Sequence, residues 1–129
     1  MRWPWAASVG CLATLTGCGA DGDKPVRTLK VSAGDPISVT AENYRFDPGR
    51  IQVMGAGPLR FTLMNRGDLA HNLQVLDGER ELGGVKSFPS GQARTFRVVV
   101  PPGTYSFVCT VADHRELGME GELEVGPQG

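Results

Sequence analysis

The sequence is poor in the residues from which metal and nucleophile sites are built: two histidines, His71 and His114, and three cysteines, Cys11, Cys18 and Cys109, in 129 residues. Any such site must be assembled from very few parts. Neither sign of charge dominates, with 13 Lys plus Arg against 14 Asp plus Glu and a formal net charge of -1. Without a basic block there is no long-range field to hold a phosphate backbone, so nucleic acid is not an expected partner. The uncharged stretch from Trp3 to Gly17 is too short to span a bilayer as a helix,. It has the length of the apolar region of a secretory signal. An apolar period near 3.6, sustained over a usual helix length, is missing too.

What is present is 18 Gly and 9 Pro, which mark turns between short strands. From Ile37 onward, short apolar alternations predict strands over Ile37 to Asn43, Arg50 to Val53, Leu59 to Met64, Asn72 to Leu76, Arg94 to Val100, Thr104 to Cys109 and Gly121 to Val125,. Asp77 to Gln92 shows no clear strand pattern and is expected to hold loops or a short helical turn. The fold class is therefore all-β, a Greek-key β-sandwich with two sheets packed face to face. Pro101-Pro102-Gly103-Thr104-Tyr105 has the form of a tyrosine corner, with the phenol bonded to nearby backbone,.

The amino-terminal stretch ends in Leu15-Thr16-Gly17-Cys18, which resembles a bacterial lipoprotein signal with Cys18 as the lipid-attachment residue. Ordinary cleavage after Ala20 is the alternative. The expected division is a signal peptide over 1–17, a flexible polar tether over 18–35 and one folded domain over 36–126. The protein is then exported, periplasmic or at the cell surface, and anchored to a membrane through the lipid on Cys18. With Cys11 removed and Cys18 lipidated, Cys109 is the one remaining thiol, so no disulfide can form within the domain. An unpaired exported thiol points to metal ligation.

Tyr105, Phe107 and Cys109 alternate and share a face, which sets the thiol at the edge of the core,. His114 and Met119 follow on the same loop, and His71 opens another strand. One thiolate, two imidazoles and one thioether are the donor set of a type 1 copper site, with Met as the long axial ligand. Singly, each has a plainer reading: a buried Cys, a core Met like Met54 and Met64, a His in a turn. Arg115 and Glu116 read as solvated loop charges.

At these positions the chain resembles the cupredoxins, the small blue copper proteins of the plastocyanin, azurin and halocyanin type. The residues that carry the resemblance are Tyr44-x-Phe46-x-Pro48 with Ile51, Phe61-x-Leu63-x-Asn65, His71-Asn72, Tyr105-x-Phe107-x-Cys109, His114 and Gly118-Met119-x-Gly121. The resemblance implies one copper ion on His71, Cys109, His114 and Met119, with Asn72 tying the His71 strand to the ligand loop. It implies a monomeric single-electron carrier without enzymatic activity, whose partners are redox proteins such as a cytochrome, an oxidase or a reductase. A copper carrier that hands over the metal itself is the alternative, and a metal-free interaction domain a more distant one. The chain departs from the family at Ala112-Asp113, where many relatives have Pro-Gly before the second His.

Overall fold

A computed structural model describes residues 24–127, and the segment expected as a signal peptide, with Cys11 and Cys18, lies outside the described residues. Ten strands run in chain order: β1 (Thr28–Ser32), β2 (Pro36–Glu42), β3 (Arg45–Asp47), β4 (Arg50–Met54), β5 (Pro58–Asn65), β6 (His71–Asp77), β7 (Arg80–Phe88), β8 (Ala93–Val99), β9 (Gly103–Val108) and β10 (Glu120–Val125). They form a six-stranded sheet in the order β1-β4-β10-β9-β6-β7 and a four-stranded sheet in the order β3-β2-β5-β8. Both sheets are mixed, since β4 runs parallel to β1 and β10, and β2 parallel to β5. The described residues contain no α-helix, and therefore no helix long and apolar enough to cross a membrane.

The period-2 pattern explains why the sheets stack. Ile37, Val39 and Ala41 of β2, Leu59, Phe61 and Leu63 of β5, and Phe96 and Val98 of β8 are buried on one inner face. They join Ile51 and Val53 of β4, Leu73 and Val75 of β6, Tyr105 and Phe107 of β9, and Leu123 and Val125 of β10 in one apolar cluster. Alternate residues face outward, as a two-layer sandwich requires. Phe61 and Phe96 stack across β5 and β8, ring centroids 5.0 Å apart, an offset-stacking distance that adds to area burial. The Tyr105 hydroxyl donates to the Pro101 carbonyl, so the tyrosine corner is present.

Three strands depart from the expectation. β1 lies inside the segment 18–35 read as a tether: its Leu29 and Val31 pack against the core, and its backbone extends the large sheet beside β4. β3 is only three residues long. β7 occupies the stretch expected to be loop or helical turn, pairing with β6 from His71 opposite Phe88 to Asp77 opposite Arg80. It is an edge strand with a half-exposed pattern and two central glycines, so it needs little apolar alternation to hold its place.

Candidate metal centre

Two strands and one loop meet at one end of the sandwich. His71 is the first residue of β6, Cys109 follows directly on β9, and the loop 110–119 runs from there into β10. The ligand atoms of His71, Cys109 and His114 all lie within 4.8 Å of one another. Cys109 Sγ is 3.9 Å from Nδ1 of His71 and 3.5 Å from Nδ1 of His114. The two imidazole rings are 5.0 Å apart at 55°. His71, Cys109 and Met119 have no exposed surface, and His114 keeps 5%.

The loop carries its donors on a hydrogen-bonded frame. The Met119 N–H donates to the His114 carbonyl at 3.0 Å, and the Met119 carbonyl accepts from the Cys109 N–H at 3.1 Å. The His114 N–H donates to the Val111 carbonyl, and Gly118 to the Arg115 carbonyl, both at 3.0 Å. Asn72 joins this unit to β6. Its Nδ2 donates to Thr110 Oγ1 and its Oδ1 accepts from the Thr110 N–H, each at 2.7 Å.

His71 supplies the test of whether a metal fits. Its Nδ1 faces the thiol, while its Nε2 is buried without a hydrogen-bond partner. A buried polar atom left unpaired costs about 1–3 kcal/mol, so this ring orientation needs a compensating bond at Nδ1, which a metal ion provides. Nε2 lies against Gly67, where a Cβ would stand 2.6 Å from it and 2.8 Å from Asn43 Oδ1. Only glycine permits that approach. Burial, and secondarily the neighbouring His114, lowers the His71 pKa, a shift toward the neutral imidazole that a metal requires. Thiolate and thioether donors favour copper over the oxygen-seeking ions.

The chain belongs to the cupredoxin-like family. The family model of the cupredoxin-like domain matches residues 7–124. Among solved structures, it is similar to reduced auracyanin from the photosynthetic bacterium Roseiflexus castenholzii, at 22% identity and a TM-score of 0.65 over 71% of this chain and 97% of that one. Auracyanin B matches at 20% identity and a TM-score of 0.66, over 71% and 88% of the two chains. Rusticyanin from Thiobacillus ferrooxidans matches at 18% and 0.60, over 74% and 81%. These likenesses are of fold. Among curated proteins none matches by sequence.

The four donors expected from the sequence are thus brought to the same end of this cupredoxin, placed to form a type 1 site, and Asn72 is hydrogen-bonded to Thr110 beside Cys109. Three roles went unassigned in the sequence, although Tyr44 and Asn65 stand in the motifs of the resemblance. Tyr44, in left-handed backbone with φ 61°, sets its ring edge-on to His114 at 5.3 Å. Asn65, fully buried, donates to the carbonyls of Leu69 and Phe88 and accepts from the Gly67 N–H, shaping the turn before His71. Arg115 is no free loop charge, because Glu79 and Glu120 bind it. Met54 and Met64, compared with Met119 as core residues, are instead 55% and 38% exposed.

Proposed function

We propose that this cupredoxin carries single electrons on one type 1 copper ion held by His71, Cys109, His114 and Met119. The observation that carries the reading is the buried cluster of one thiol and two imidazoles whose Nδ1 atoms face the sulfur. When bound, copper supplies a one-electron couple between Cu(I) and Cu(II). The chain's part is to hold four donors in one geometry and to exclude water, which burial of all four achieves. Both histidines belong to this cluster, which leaves none for a His-rich second metal centre and favours an electron carrier over a copper enzyme.

Of the four donors His114 is nearest to solvent. Leu117, Leu69 and Tyr44, which are 51%, 42% and 39% exposed, lie on the loops and turn at the same end. They provide a small apolar surface of the kind transient redox encounters use, and a redox protein is the partner proposed. The exported, membrane-anchored state through Cys18 belongs to the same reading. Partition of the full chain into a detergent phase, lost on Cys18→Ala, tests it; partition that survives the substitution rejects lipidation.

The visible and electron paramagnetic resonance spectra of the copper-loaded protein test the central reading. An intense thiolate-to-copper band with narrow hyperfine coupling is expected, and a colourless protein refutes it. Incubation with a Cu(I) acceptor separates the alternative: an electron carrier keeps its metal, whereas a copper carrier surrenders it.

A further inference from the structure

Arg115 directly follows His114, yet its side chain leaves the metal centre. Nη1 donates to Glu79 Oε2 at 2.9 Å and Nη2 to Glu79 Oε1 at 3.1 Å, a two-pronged pair that fixes orientation as well as charge,. Nη2 also reaches Glu120 Oε1 at 3.4 Å. Glu79 sits in the turn between β6 and β7, and Glu120 opens β10. In the large sheet β10 and β6 flank β9, so a guanidinium bound to both acids crosses over β9.

What lies along that crossing supports a structural use for it. Val108 of β9 is opposite Glu120 on one side and Gln74 on the other, and Leu76 of β6 is opposite Ser106. By alternation with Phe107 and Val75 both point away from the core, and neither belongs to the core cluster. Even so, Val108 is fully buried and Leu76 is 3% exposed. Outward apolar residues on a sheet stay dry only under a cover, and a long Arg stem can cover apolar surface while its charged head is paired.

Among the described residues, Arg115 is the only side chain of residues 111–118 that hydrogen-bonds outside the loop, apart from the contact of His114 with Cys109. We infer that Arg115 is a positioning residue, a strap that pins the loop bearing His114 and Met119 to the hairpin whose first strand bears His71. The inference rests on the copper reading for its functional meaning, and on the geometry alone for the strap. It also supplies a tether that the loop lacks in its sequence, where Ala112-Asp113 replaces Pro-Gly.

The test compares Arg115→Gln, Glu79→Gln, Arg115→Lys and the charge-reversed pair Arg115→Glu with Glu79→Arg. In the metal-free full chain, amide exchange at Gly118 and Met119 should quicken roughly two- to fivefold in the two neutral variants, the range expected for losing an exposed ion pair. Arg115→Lys should fall between, since an ammonium cannot reproduce the fork. The reversed pair should recover a large part of the protection. High salt should quicken exchange in the parent by screening the same pair. After copper loading, the thiolate-to-copper band should shift or broaden in the neutral variants and return toward the parent in the reversed pair, a change that surface packing alone would not cause. Unchanged exchange together with an unchanged band in both neutral variants overturns the strap. Absence of the band from the parent refutes the copper reading instead, and the exchange measurement then decides the strap by itself.

Discussion

Replacing Asn72 by alanine removes both hydrogen bonds that join β6 to the residue after Cys109. An ordinary intramolecular hydrogen bond contributes about 1 kcal/mol net, and stranding a buried partner adds its desolvation cost. Which figure applies depends on Thr110. That residue is exposed, so water can take up its freed N–H and hydroxyl, and the larger penalty does not arise. The expected loss is about 2 kcal/mol, which for a domain of this size lowers the melting temperature by about 8–16 °C. Thr110→Val removes only the bond to Oγ1 and should cost about half as much. Together the two substitutions should cost less than their sum, with a coupling energy of about 1 kcal/mol. Urea unfolding of the metal-free protein measures all three. The copper-loaded Asn72→Ala protein should also show a displaced thiolate-to-copper band, because Thr110 adjoins the ligand. Losses under about 0.5 kcal/mol for both single variants, with an unmoved band, would refute the reasoning and reduce Asn72 to a turn residue.

Cys109→Ser should abolish the intense visible band while circular dichroism reports an intact sandwich, since a hydroxyl is a harder and weaker donor than a thiolate. Met119→Leu nearly conserves volume and should cost under about 1.5 kcal/mol; the reduction potential should rise, and Met119→Gln should bring it below the parent. Voltammetry checks that order, with the exposed Met54→Leu and Met64→Leu as controls that stay flat. Leu117→Lys should slow electron exchange with the native partner and leave the spectrum nearly unchanged, so equal stopped-flow rates would move the docking surface elsewhere. Ala112 has φ 45°, a left-handed conformation that an L side chain resists. Ala112→Gly should therefore stabilise the metal-free protein by about 0.5–1 kcal/mol in thermal unfolding, and a destabilised variant would contradict that conformation.

The sequence carried the seven strands with apolar alternation, because burial on one face writes period 2 into the chain, although β6 and β9 also bury residues of their outer face. β7 escaped because it is an edge strand: Glu81, Lys86 and Ser87 are tolerated where one flank meets solvent, and Gly83 and Gly84 break the apolar rhythm. β1 did show Leu29 and Val31 in alternation, but the polar, Gly-containing run before it obscured where the tether ends. The site was legible for a different reason. Its donors are scarce residue types, so His71 had no competitor as the distant imidazole. The supports were not legible: Arg115 and Glu79 are 36 positions apart, Tyr44 meets His114 through a positive-φ turn, and such charges and aromatics are common on any surface.

The bonding pattern also divides the site into two bodies with different freedoms. Cys109, Met119 and His114 are joined by backbone hydrogen bonds, Cys109 to Met119 and Met119 to His114, so their mutual positions are set by main chain and tolerate side-chain changes nearby. His71 belongs to β6 and has no such bond to the loop. Its placement relative to the other three is set by the β6–β9 ladder, in which Gln74, Val75 and Leu76 lie opposite Val108, Phe107 and Ser106. Two side-chain joints to the loop refine it: Asn72 on Thr110 at the start of the strand, and Glu79 on Arg115 just past its end. The first joint is part-buried and tight, the second exposed and open to screening. Loss of either should therefore displace His71 relative to the loop donors rather than scatter all four. On that account Asn72 and Arg115 variants alter the same spectroscopic feature, whereas Ala112 variants change stability and leave that feature in place.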